Sequence, residues 1–98
     1  MPLYSLNGET ASIMTLAPVI PVLTVASVED GVGQAKALVA GGLYAIEVTL
    51  RTPSALAAIR KIAESVPGAV VGAGTIVSVE QIGEAIAAGA RRVEPVQT

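Results

Sequence analysis

Residues Glu47, Thr49 and Arg51 stand at alternate positions in the run Ala45, Ile46, Glu47, Val48, Thr49, Leu50, Arg51. Successive side chains of a strand point to opposite faces, so the acid, the hydroxyl and the base share one face and Ile46, Val48 and Leu50 share the other. A strand buried between helices is apolar on both faces. Burying polar groups without partners costs about 2–7 kcal/mol, so these three either pair with one another or line a polar cavity at the C-terminal end of the strand. In a cavity, Glu47 has the chemistry of a general acid or base, moving a proton on a substrate or its water. Arg51 offers a forked guanidinium to a carboxylate or phosphate. The structural alternative is an internal Glu47–Arg51 ion pair, with Arg51 otherwise a solvated strand-end cation. A second candidate is Thr75, which closes the run Gly72, Ala73, Gly74, Thr75. A dinucleotide fingerprint needs a third glycine, but Ile76 and Val77 follow. The run therefore reads as close backbone approach at a strand end, with the Thr75 hydroxyl or amide facing a ligand. Glycines packed under a helix are the alternative.

The elements that position these residues repeat. Strands are expected to begin near residues 19, 45, 70 and 93, at spacings of 26, 25 and 23 residues, which is a β-α repeat. The first, over 19–25, contains Pro21 and should start irregularly. Ser27 with Asp30 forms a near capping box, ahead of a helix whose apolar positions run from Val28 to Val39 and which ends at Gly41 and Gly42. Thr52 and Pro53 read as the next helix start. Its stripe is Leu56, Ile59, Ile62, Ala63 and Val66, and Pro67 and Gly68 stop it. Ser78 with Gln81 is a second capping box, ahead of Val79, Ile82, Ile86 and Ala90. Val93 can open a fourth strand. Residues 1–16 read as a tail or short helix and 91–98 as a divergent tail. Alternating strands and helices imply an α/β fold with parallel strands, either an open doubly wound sheet or part of a (β/α)8 barrel.

Composition narrows the chemistry. The chain has 98 residues, 52% of them hydrophobic and only 2% aromatic, so its core is aliphatic. It carries a net charge of −2, which gives no footprint for nucleic acid. With neither His nor Cys, it lacks the commonest metal ligand and any thiolate, and the reading calls for no metal or cofactor. No apolar run reaches the roughly 18 residues of a membrane span. The apolar stretch 13–26 is broken by prolines and lacks a basic start, so a cytoplasmic location is expected. Lys36 and Lys61, the two lysines of the chain, fall mid-helix and read as solvated.

Four runs taken together resemble the 2-keto-3-deoxy-6-phosphogluconate aldolase family: Pro18 to Val22; Ala35 to Gly42; Glu47, Val48, Thr49, Leu50, Arg51, Thr52; and Val71 to Thr75. The likeness covers about residues 17–90. It implies a (β/α)8 barrel, here about three and a half β-α units, and a class I aldolase, typically a homotrimer acting on a small-molecule keto acid substrate. The family cleaves its phosphosugar acid to pyruvate and glyceraldehyde 3-phosphate through a lysine Schiff base, and includes activity on 4-hydroxy-2-oxoglutarate. By the same resemblance Glu47 matches the proton-transferring glutamate, Arg51 the arginine at the mouth of the site, and Thr75 the threonine that holds the pyruvyl carboxylate. Two departures stand out. Arg91, Arg92, Val93 and Glu94 replace an apolar core strand, as in a frameshifted or truncated gene product. The Schiff-base lysine of the sixth strand and the later phosphate loops have no counterpart, and neither Lys36 nor Lys61 can stand in. The expectation is an aldolase fragment inactive on its own. The alternative is a non-catalytic fragment or assembly module.

Overall fold

The computed structural model describes residues 20–96, so the expected N-terminal tail lies outside the described residues. Strands and helices alternate: β1 (Val22–Leu23), α1 (Val28–Ala40), β2 (Ala45–Thr49), α2 (Ala55–Ser65), β3 (Val70–Ile76), α3 (Val79–Ala88) and β4 (Val93–Pro95). The strands form one sheet in the order β1-β2-β3-β4, with every neighbouring pair parallel. A sequential parallel order with a helix in each crossover is part of a (β/α)8 barrel. Val93–Pro95 lies within the stretch set apart as a divergent tail, and it pairs with β3.

Local chemistry sets the boundaries. Pro21 has no N–H to give to a ladder, but its carbonyl accepts from the Glu47 N–H at 2.9 Å. The irregular start it imposes leaves β1 only two residues long. Both capping boxes form. Ser27 Oγ accepts from the Asp30 N–H at 3.0 Å, while Asp30 Oδ2 accepts from the Ala26 N–H at 3.0 Å. Ser78 Oγ accepts from the Gln81 N–H at 3.2 Å, and Gln81 Oε1 accepts from the Val77 N–H at 2.7 Å. Each pair satisfies one amide that the first helical turn leaves free, that of Asp30 or Gln81, and one just ahead of the capping serine, that of Ala26 or Val77.

Two helical readings change. Helix α2 starts at Ala55 rather than at Thr52 and Pro53. The Thr52 hydroxyl donates instead to the Val25 carbonyl at 2.8 Å, tying the turn after β2 to the connection that follows β1. Helix α3 turns Ala85 and Ala88 inward and leaves Val79 and Ile86 79% and 58% exposed. Alanines let this helix lie close to its neighbours, so backbone proximity rather than side-chain bulk chooses the buried face.

The core fills the space between sheet and helices. Ile46 and Val48 come from β2, Val71, Ala73 and Ile76 from β3, and Ala55, Ala58, Ile59 and Ile62 from α2. Burying each large aliphatic side chain contributes about 1.5–3 kcal/mol. Where α1 crosses α2, a Cβ on Gly31 would stand 3.1 Å from both Ala58 Cβ and Val25 Cγ1, so the smallest residue sets how closely they pack.

Candidate active site

The opposite face of the sheet is polar. Ile46 and Val48 are fully buried under the helices, and Glu47 projects to the other side. In the ladder Glu47 is opposite Gly72, and Thr49 is opposite Gly74. The two glycines clear this face. A Cβ on Gly74 would lie 2.6 Å from Glu47 Oε2 and 2.9 Å from its Cδ. A Cβ on Gly72 would lie 3.1 Å from the Cβ of Arg92. The glycines of the Gly-Ala-Gly run therefore make room for side chains from the neighbouring strands, and the helix-packing reading does not hold. Ala73 between them points into the core.

Thr75 reaches the same face by breaking the strand alternation. Val71 and Ala73 are buried in the core, and so is Ile76, which strict alternation would turn outward. The phase changes at Thr75, whose φ of 60° lies in the left-handed region, and the ladder to β4 shifts register between Ala73 and Ile76. Such irregularities re-aim side chains near functional sites. A β-branched residue in this conformation is strained, at a cost of about 1–2 kcal/mol.

Glu47, Arg51 and Thr75 converge on one cleft of about 440 Å³, with Arg92 and Glu94 on its β4 wall and Val22 on its β1 wall. Arg51 follows the last residue of β2 by two positions and Thr75 is next to last in β3. The cleft thus opens at the C-terminal ends of the strands, where barrel enzymes carry their chemistry. Among the described residues the Glu47–Arg51 ion pair does not form, and the side chains of Glu47, Arg51 and Thr75 make no hydrogen bond. The salt bridge in the cleft is Arg92 Nη2 to Glu94 Oε1 at 2.6 Å. Thr49 takes the other course open to a buried polar group. Its hydroxyl donates to the Leu23 carbonyl at 3.2 Å, which leaves Thr24 Oγ1, 2.9 Å away, as donor to it. The face is thereby divided into a satisfied hydroxyl pair and a set of groups free to meet a ligand.

Both lysines lie across the sheet from this cleft. Lys36 on α1 and Lys61 on α2 are exposed and flank a groove with Val28, Glu29 and Val32. The sequence reading overlooked Arg92 and Glu94 as cleft residues. The repeat that puts a strand at Val93 also puts these two on one face of it, two residues apart.

The family model for KDPG and KHG aldolase matches residues 10–95. The chain belongs to the KDPG and KHG aldolase family. It is 54% identical over 87 residues to the KHG/KDPG aldolase of Escherichia coli K12, covering 87% of this chain and 41% of that enzyme. The 2-dehydro-3-deoxy-phosphogluconate aldolase of Zymomonas mobilis is 56% identical over 78 residues, with coverages of 80% and 37%. Solved aldolases of this family superpose closely. The crystal structure of the Zymomonas mobilis ATCC 29191 KDPG aldolase gives a TM-score of 0.75 at 50% identity, covering 90% of this chain and 43% of that one. The Legionella pneumophila KDPG aldolase, with pyruvate captured as a covalent carbinolamine intermediate, gives 0.75 at 41% identity, covering 89% and 43%. The chain thus spans about two-fifths of the length of the aldolases it matches.

Proposed function

We propose that this chain supplies the proton-transfer and carboxylate-binding part of a class I aldolase site, whose parent reaction cleaves 2-keto-3-deoxy-6-phosphogluconate to pyruvate and glyceraldehyde 3-phosphate. The observation that carries the reading is the convergence of Glu47, Arg51 and Thr75 on one cleft at the strand ends, none of their side chains bonded to a partner among the described residues. Thr75 and Arg51 are the groups to hold the keto acid carboxylate, by a hydroxyl or amide donor and by charge-assisted hydrogen bonds. Class I chemistry turns the substrate ketone into an iminium on a lysine, which accepts the electron pair of the carbon–carbon bond as it breaks. Glu47 then takes the proton of the C4 hydroxyl as the aldehyde forms, a proton returned to the enamine carbon gives the pyruvyl iminium, and water hydrolyses that to pyruvate and the free lysine. By family likeness the parent is a homotrimer of cytoplasmic carbohydrate metabolism.

A second reading follows from the position of the lysines. An exposed ammonium on a helix lacks the desolvated pocket that makes a lysine nucleophilic, so the chain alone is a non-catalytic module. The test is assembly with the C-terminal portion of the Escherichia coli relative, followed by assay of phosphosugar acid cleavage. Turnover should appear only in the mixture. Glu47→Gln in this chain should lower it by about 10²–10⁴-fold. Turnover unchanged by Glu47→Gln would overturn the assignment.

A further inference from the structure

Among the described residues β1 pairs only with β2, and β4 only with β3, so the sheet has two open edges. Alternate residues of a parallel strand bond to opposite neighbours. In β1 the Pro21 carbonyl is taken by β2, so Val22 turns its N–H and carbonyl outward. In β4 the Arg92 carbonyl and, just beyond it, the Val96 N–H are taken by β3, so Val93 and Pro95 face outward. Pro95 can only accept there. Unpaired backbone groups of this kind are a template for another strand. The edges also carry apolar side chains. Val22 is 59% and Val96 42% exposed, and they stand on opposite walls of the polar face.

We propose that two copies of this chain join edge to edge, β4 of each beside β1 of the other, and close an eight-stranded parallel barrel whose lumen merges the two clefts. Each copy supplies four parallel strands in sequential order, with the curvature of a barrel segment. A head-to-tail contact closes into a ring when its rotation fits, and four strands of eight span about half a turn. The register fits as well. Val22 is level with Glu47 and Gly72, and Gly72 with Arg92. A barrel of this kind carries a shear of about eight residues, about four for each copy, which advances the pairing along β4 from Arg92 to Val96. Val96 then comes opposite Val22 of the second copy, and both side chains face the lumen. In this register the outward N–H of Val22 meets the Pro95 carbonyl, the ladder group that a proline keeps. Glu47, Arg51, Arg92 and Glu94 give the face two charges of each sign, so two such faces meet without net repulsion.

Sedimentation equilibrium and native mass spectrometry of the full chain test this. The chain should reach twice its 9.8 kDa mass as concentration rises, and go no higher. Val22→Asp and Val96→Lys each place an unpaired charge in both seams, so each should weaken self-association by about tenfold or more. Val79→Glu, at an exposed position on α3, should leave it unchanged. An equal mixture of the Val22→Asp and Val96→Lys chains should recover a dimer holding one of each. Such a dimer has one seam with opposite charges and one seam as in the original chain. Recovery of this kind cannot come from partial unfolding, and an interface between identical edges or helix faces would not produce it. A monomer at every concentration, with the edges covered from within the chain, would overturn the proposal. So would open-ended aggregates, a dimer indifferent to both edge substitutions, or a mixture that fails to form the mixed dimer.

Discussion

The carboxylate of Glu47 occupies the space that a side chain at position 74 would need. The three atoms nearest a Cβ built on Gly74 all belong to Glu47, at 2.6, 2.9 and 3.1 Å. The glycine of β3 and the acid of β2 are therefore one structural unit, and the unit predicts how each tolerates change.

Gly74→Ala has two opposing effects. Replacing glycine in a strand is worth about 0.5–1 kcal/mol in backbone entropy, and overpacking against Glu47 costs about 1–3 kcal/mol. The net change by urea denaturation should be a loss of roughly 0–2 kcal/mol. In a Glu47→Ala background the same substitution should stabilise by about 0.5–1 kcal/mol. Additive effects in this double-mutant cycle would mean that Glu47 does not lie over Gly74.

Thr75 trades stability for placement. Relief of its left-handed strain, about 1–2 kcal/mol, outweighs the entropic cost of glycine, about 0.5–1 kcal/mol. Thr75→Gly should therefore melt at the same temperature or higher while binding pyruvate more weakly. A loss of more than about 1 kcal/mol would show that the Thr75 side chain serves the fold instead.

Helix α3 separates burial from hydrophobicity. Val79→Glu, at a position 79% exposed, should change stability by less than about 0.5 kcal/mol. Ala85→Glu, at a fully buried position, leaves an unpaired charge in the core and should prevent folding or cost at least about 3 kcal/mol. Circular dichroism melts distinguish the two, and equal effects would contradict the observed orientation of the helix.

What could be read in the sequence was local or periodic. The alternation in β2 separates Ile46 and Val48 from Glu47, and the capping boxes at Ser27 and Ser78 need only residues three apart. The repeat spacing placed all four strands. The inward face of α3 was hidden because Ala85 and Ala88 carry little hydrophobic contrast against Val79 and Ile86. The start of α2 was hidden because Thr52 found a long-range partner in the Val25 carbonyl. The phase change that brings Thr75 into the cleft requires a conformation that its own residue type disfavours, so only the folded sheet reveals it. Arg92 and Glu94 were set apart because their polarity departs from a core strand, and that polarity is what equips them for the cleft.

Borohydride trapping with pyruvate, followed by mass measurement of each polypeptide, tests the central claim most directly. Incubated alone, this chain should gain no reduced pyruvyl adduct. Mixed with the C-terminal portion of the Escherichia coli relative, the adduct should form on that partner, and its yield should fall when Arg51 or Thr75 of this chain is replaced. A stable adduct on Lys36 or Lys61, accompanied by cleavage of the keto-deoxy phosphosugar acid by this chain alone, would contradict the account.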